Sequence, residues 1–170
     1  MNTRVKIGLA LAVVILLGAC ATVSELIRIE PPRFSVTEGR ASELRLLGPS
    51  ADRPLGGAAL RIWSRVENPN GFGLTLTDLR GDLLLEGARA ADVSLPLGLP
   101  LGARQDTIIP IEVAISFADV PELADAAVRL LRERTVDYRL DGTFGVDAGA
   151  LGRPRFGPTT LLRGELQVQR

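Results

Sequence analysis

The chain has 170 residues, 46% hydrophobic and 24% charged, with one cysteine, no histidine and a formal net charge of zero. That composition is globular rather than disordered, and the length suits one domain. Without histidine, the Ser-His-Asp and Cys-His nucleophile systems and the usual zinc-ligand sets are missing.

Residues 1–20 read MNTRVKIGLALAVVILLGAC. Arg4 and Lys6 precede an apolar run from Ile7 to Leu17, too short to span a bilayer, which needs about 20 residues, but suited to a signal-peptide core. Leu17-Gly18-Ala19-Cys20 resembles the bacterial lipobox, which implies lipidation of Cys20, cleavage of residues 1–19 and palmitate-type acylation of the new terminus. Two other fates fit these residues: an A-x-A cleavage at Ala19-Cys20-Ala21 that releases a soluble periplasmic protein, or an uncleaved anchor. Ala21, rather than Asp, follows the cysteine, so the expected location is the periplasmic face of an outer membrane. Multiple acyl chains anchor stably where one is marginal. Removing the leader takes away Arg4 and Lys6 and leaves 18 arginines against 20 acids. The arginines alternate with the acids rather than clustering, which gives no footprint for nucleic acid.

Residues 20–33 lack a strong period and contain Pro31-Pro32, which reads as a membrane-tethering linker. A single domain is expected over 34–170. Phe34–Val36 and Glu43–Leu47 are candidate short strands, separated from the next by a Gly/Pro loop at 48–57. Leu60, Ile62 and Val66 alternate with Arg61, Arg65 and Glu67, and Trp63 falls on the charged side, at a rim or under a loop. Asn68-Pro69-Asn70-Gly71 then fits a type I turn, with Pro69 presetting φ and the Asn68 side chain reaching backbone groups ahead of it. Leu74, Leu76 and Leu83-Leu84-Leu85 continue the strand pattern, and Gly87–Ala91 is expected to turn the chain into Val93–Leu95. Ile109, Ile111, Val113, Ile115 and Phe117 share a face, as do Val136, Tyr138, Leu140, Phe144 and Val146; Leu162, Leu166 and Val168 form the last strand. Such alternation marks half-buried strands with one wet face.

One segment breaks the period. Asp119 as N-cap, Pro121 in the first turn and Glu122 start a helix that ends near Arg134. Leu123, Ala127, Leu130 and Leu131 form its core stripe, and Asp125–Arg129 and Arg129–Glu133 are i,i+4 pairs. About seven short antiparallel strands and one helix at 119–134 predict a mainly β fold, an immunoglobulin- or fibronectin-III-like β-sandwich.

Acid pairs are the remaining catalytic option, since glycosidases need only two carboxylates. Most Asp and Glu lie on predicted wet faces; Asp137, Asp141 and Asp147 share one surface, which reads as solvated. No phosphate loop, EF-hand or zinc motif occurs, and neither catalytic residues, cofactor nor metal is assigned. Calcium held by loop carboxylates depends on a spatial convergence that sequence does not give. The Leu95-Pro-Leu-Gly-Leu-Pro-Leu101 run reads as a buried crossing between sheets or, if exposed, an adhesive patch. Gly149–Gly157 (GALGRPRFG) reads as a loop rather than a site for an acidic surface.

Taken in order, several of these segments resemble one family. A strand ending in Asn68-Pro69-Asn70, then LTLTDLRGDLLLEG, GARQDTIIPIEVAISF and VDYRLDGTFGVDAGALG, is similar to the type-2 late-embryogenesis-abundant proteins and their water-stress and hypersensitive-response (WHy) domain. The resemblance spans about Phe34 to Gln167 and departs at the 48–57 insertion. It implies a compact β-sandwich with one helix, association with desiccation tolerance, and a frequent lipoprotein form in bacteria. It carries no catalytic residues. Two non-enzymatic functions follow: a lipid-anchored cell-envelope protein that protects client proteins or the membrane under stress, or a structural adaptor binding an envelope partner through a sheet edge.

Overall fold

The structure is a computed structural model that describes residues 28–51, 53–118 and 135–169. Eight strands make up the described fold: β1 (Arg33–Val36), β2 (Glu43–Leu47), β3 (Gly57–Glu67), β4 (Leu74–Leu85), β5 (Ala88–Leu101), β6 (Asp106–Ser116), β7 (Thr135–Asp147) and β8 (Arg155–Gln169), with a 3-10 turn at Gly149–Leu151. The fold is mainly β and sandwich-like. The helix expected at 119–134 and the leader with Cys20 lie outside the described residues.

β3 organises one side. β6 pairs with it along its whole length, so β1 and β2 share its other edge, β2 on Gly57–Arg61 and β1 on Ser64–Glu67. In effect β1 and β2 are one strand interrupted by residues 37–42. The other side runs β8-β7-β4-β5, every neighbour antiparallel. The two are joined where Glu43–Arg45 pairs with Gln167–Gln169, and this pairing is parallel. The all-antiparallel expectation is corrected there. No hairpin joins β2 to β8, so no short turn dictates their relative direction.

The expected alternation is realised as two inward rows. Leu60, Ile62 and Val66 of β3 and Ile111 and Ile115 of β6 face Val136, Tyr138, Leu140, Phe144 and Val146 of β7 and Leu162 and Leu166 of β8. In β4 the row changes parity, from Leu74 and Leu76 to Leu79, Leu83 and Leu85. A bulge at Thr77 against β7 supplies the extra residue that makes this shift possible. Phe144 packs edge-on to Phe34 at 5.0 Å and against Phe156 at 5.4 Å, tying β1, β7 and β8 into one core. Gly81 and Gly142 lie opposite each other in the β4–β7 pair, and a Cβ on either would fall within 2.3 Å of a backbone carbonyl of the other strand. Only glycine permits that approach.

The β4–β5 turn is two residues, Glu86 (φ 48°) and Gly87 (φ 80°), both left-handed as a type I′ hairpin requires. This corrects the expected turn over Gly87–Ala91, because residues 88–91 already belong to β5. Trp63 is half-buried on the charged side as expected, with the Arg40 guanidinium 4.6 Å above its ring.

Candidate functional site: the asparagine clasp and the sheet edges

Asn68 and Asn70 are 0% and 6% exposed, an unusual burial for turn residues. The Asn68 backbone N–H donates to Gln105 O at 2.9 Å, and its Nδ2 donates to Phe72 O at 2.8 Å and Gly102 O at 2.9 Å, with Leu101 O further off at 3.4 Å. Its Oδ1 accepts from the Asn70 N–H at 3.0 Å and from Asn70 Nδ2 at 2.9 Å. Asn70 O in turn accepts from the Arg104 N–H at 3.0 Å. Every donor and acceptor of the Asn68 amide is therefore engaged, which only an amide of this size can do here.

These contacts correct the local reading. Among the described backbone hydrogen bonds none closes residue 68 onto 71; the bend is an Asx-turn closed by the Asn68 side chain. The segment also clasps a second connection, residues 102–105, more than thirty positions away. Asn68 and Asn70, in a bend that also holds Pro69 and the exposed Gly71, thus lock the β3–β4 and β5–β6 connections together at one end of the sandwich.

The wet faces carry ion pairs rather than a convergent acid pair. Arg61 meets Glu112 at 2.8 Å, Arg65 meets Asp106 at 3.1 Å, and Arg89 bridges Asp82 (2.6 Å) and Asp92. Asp137, Asp141 and Asp147 do not converge. Asp141 pairs with Arg139 at 2.8 Å and Asp147 with Arg153 at 2.9 Å, while the Asp137 amide donates to a Glu86 carboxylate oxygen at 2.7 Å. Among the described residues no three His, Cys, Asp or Glu side chains could hold a metal. Arg155 grips both oxygens of Asp78, at 2.8 and 3.0 Å, and Thr77 Oγ1 adds a third bond at 2.9 Å. The Arg155 hydrogen bond, opposed by partial desolvation, holds the Asp78 carboxyl below its usual range. Such a group stays ionised at neutral pH, the opposite of a general acid. Arg153 and Arg155, from the stretch expected as a loop, are thus engaged within the fold, and residues 155–157 already belong to β8.

Among the described residues, shallow troughs of about 300, 350 and 460 Å³ open to solvent. The first lies over Ala59 and Ala114 and is rimmed by the paired Arg61 and Glu112. The second follows the gap between Phe34–Val36 of β1 and Thr160–Arg163 of β8, which run side by side without hydrogen bonding.

Among the described strands, β5 beyond β4 and β6 beyond β3 present outer edges, while β1 and β8 leave unpaired the edges that face each other. The Leu95–Leu101 run is neither a crossing between sheets nor an open apolar patch. Leu95, Leu97 and Leu99 are half-buried and Leu101 is buried, while Pro96, Gly98 and Pro100 face out. Gly98 (φ 55°) sits in a second bulge, opposite Thr77. Pro110 is likewise exposed on β6. Proline lacks the N–H that an added strand would need, so these positions blunt both edges.

Sequence reasoning missed one buried polar group at the other end. Tyr138 is buried with Ser42 nearby, and among the described residues Ser42 Oγ, Thr37 Oγ1 and Tyr138 Oη have no hydrogen-bond partner. Burial pushes the Tyr138 hydroxyl up, and Ser42 is close enough to oppose the shift without reaching bonding geometry. Alternation placed Tyr138 inside, but nothing local in sequence shows what its hydroxyl meets.

No curated protein matches the sequence significantly. Among solved structures, the solution structure of an Arabidopsis thaliana protein aligns at a TM-score of 0.56 and 19% identity, covering 84% of this chain and 86% of that one. A late embryogenesis abundant (LEA) protein aligns at 0.48 and 19%, covering 96% and 87%, and an Archaeoglobus fulgidus protein at 0.44 and 11%, covering 77% and 98%. At these identities the first supports the fold alone. A family model, LEA_2, late embryogenesis abundant protein, matches residues 64–159, from the middle of β3 through the clasp into β8. The chain belongs to the late embryogenesis abundant LEA_2 family.

Proposed function

We propose that this is a non-enzymatic, lipid-anchored cell-envelope protein that protects client proteins or the membrane surface when water is withdrawn. The observation that carries the reading is the family match over 64–159, which includes the clasp and all of β4 to β7. The lipobox-like Leu17–Cys20 supports anchoring through Cys20, and Ala21 supports the periplasmic face of an outer membrane. The Asp78 carboxyl, held below its usual range by Arg155, is not poised as a general acid. Cells fed a fatty-acid analogue should label the wild type and not Cys20→Ser; equal labelling refutes the anchor. The purified protein should reduce aggregation of dried or heated clients beyond an inert protein control, and no reduction refutes protection.

The adaptor reading has one observation in its favour, the stretch of β8 that faces β1 without hydrogen bonding. Crosslinking in cells separates the two. One stoichiometric partner favours the adaptor, and many substoichiometric clients favour protection.

A further inference from the structure

The chain has three asparagines, Asn2, Asn68 and Asn70, and the clasp holds two of them. These two differ in the residue that follows. An asparagine amide is lost spontaneously when the backbone nitrogen of the next residue attacks Cγ, so the reaction needs an N–H there and room to approach. Asn68 is followed by Pro69, whose ring nitrogen carries no hydrogen. Asn70 is followed by Gly71, which has the N–H and no Cβ to hinder the attack. Gly71 is exposed, and among the described residues nothing lies within 4 Å of where its Cβ would stand. By covalent chemistry alone, Asn70-Gly71 is a labile pair.

The folded geometry opposes that reaction. Asn70 Nδ2 donates to Asn68 Oδ1 at 2.9 Å, which ties the side-chain amide to residue 68 instead of leaving it to swing over Gly71. The same oxygen accepts from the Asn70 N–H at 3.0 Å, and Asn70 O accepts from the Arg104 N–H at 3.0 Å, so the backbone is pinned on both sides of the Asn70 Cα. Closing a five-membered ring requires rotation about χ1 and ψ of residue 70. The first moves Nδ2 off Asn68, and the second swings the carbonyl oxygen away from Arg104. Asn70 is also only 6% exposed, which limits access for hydroxide. The bonds that make the clasp are therefore the ones that keep its labile residue unreactive.

We infer that Asn70 is a spontaneous modification site gated by the clasp, and that its conversion to aspartate or isoaspartate prevents the clasp from closing again. When the clasp opens, the Gly71 nitrogen gives its proton to hydroxide and bonds to the Asn70 Cγ. The Cγ–Nδ2 bond breaks, and Nδ2 takes a proton from water and leaves as ammonia. Water then adds to one carbonyl carbon of the succinimide. Cleavage between nitrogen and Cγ gives aspartate, and cleavage between nitrogen and the main-chain carbon gives isoaspartate. In the aspartyl product a carboxylate stands where Nδ2 met Asn68 Oδ1, acceptor against acceptor. In the isoaspartyl product the main chain runs through Cβ and Cγ, and the carbonyl that met the Arg104 N–H becomes a free carboxylate. A closed clasp preserves itself, and an opening that lasts until ring closure is recorded irreversibly. This chemistry is independent of lipid anchoring and of client protection.

The full chain, made without lipidation, is incubated in mildly alkaline buffer with and without denaturing urea, and peptide mass spectrometry follows conversion of the Asn70 amide to acid. The native chain should convert at least about tenfold more slowly than the denatured one, a factor equal to about 1.4 kcal/mol of closure. Asn68→Ala leaves the Asn70-Gly71 pair intact and should bring the native rate back toward the denatured rate. Adding Gly71→Ala to that variant should slow it again, at a position with room for a Cβ. Equal native and denatured rates in the wild type overturn the gate, as does an Asn68→Ala chain that converts no faster than the wild type. A double variant that converts as fast as Asn68→Ala overturns attack by the Gly71 nitrogen. If Asn68→Ala does not fold, the wild type decides alone. Over a temperature series its conversion must rise in step with hydrogen exchange at the Arg104 amide, and conversion that follows the β3 and β4 amides instead assigns the reaction to global unfolding and overturns the gate. The converted fraction, separated by anion exchange, should have lost protection at Arg104; retained protection overturns the irreversible opening.

Discussion

Two buried polar clusters, one toward each end of the sandwich, are built on opposite principles. At the clasp end Asn68 is buried with all its amide groups engaged, across two connections distant in sequence. On β7, opposite the end of β4, the Tyr138 hydroxyl is buried with no partner among the described residues, beside a Ser42 hydroxyl in the same state. A hydrogen bond contributes about 1 kcal/mol net, while a buried polar group left unsatisfied costs about 1–3 kcal/mol. The first cluster therefore holds the fold, and the second is tolerated by it.

The strongest way to break this contrast is Asn68→Asp. It sets a carboxylate against the carbonyls of Phe72 and Gly102, and destabilisation by about 4 kcal/mol is expected, within the range for an unpaired buried charge. The new carboxyl would have a folded pKa above its unfolded value. The folded state then binds the extra proton, and part of the lost stability returns as pH falls through that folded pKa. Urea unfolding at pH 7 and pH 5 reads both effects. Asn68→Ala leaves the same carbonyls and the Asn70 N–H without this partner and is expected to cost about 3 kcal/mol. Asn70→Ala removes one bond to Asn68 Oδ1 but leaves the Asn68 amide in place, and should cost less than Asn68→Ala and at least about 1 kcal/mol. Tyr138→Phe deletes the orphaned hydroxyl, and unfolding should show a change near zero or a gain of up to about 1 kcal/mol. A large loss would mean that the hydroxyl is satisfied after all.

A smaller effect comes from the exposed face. Asp78 is lowered in the folded state, so its stabilising contribution is present above its unfolded value of 3.8 and is lost as pH falls through the folded value. Asp78→Asn should flatten the acid limb of a stability-against-pH curve while changing little at neutral pH, because the pair with Arg155 is solvent-screened.

Much of the sheet was legible in sequence because strict alternation reports which face is wet. β2 and the inward rows of β6 and β7 follow it directly. What was not legible depends on contacts far apart in the chain. The bulge at Thr77 flips the parity of β4, yet TLTDL contains nothing that distinguishes it from an unbroken strand. The Leu95–Leu101 run read as a crossing between sheets or an adhesive patch, whereas it is an edge strand, which accepts prolines on its free side. Arg155 looked like part of a loop because its partner, Asp78, lies 77 positions earlier. The NPNG segment was visible as a turn, but its burial and its hold on residues 102–105 come from the β5–β6 hairpin folding over it.

Hydrogen exchange at the Arg104 amide tests the clasp most directly. That N–H belongs to an exposed connection and would ordinarily exchange at loop rates, but it donates to Asn70 O. The clasp predicts protection approaching that of the β3 and β4 amides in the wild type, lost in Asn68→Ala while the Glu86 amide is unchanged. Loop-rate exchange at Arg104 in the wild type, or protection that survives Asn68→Ala, would contradict it.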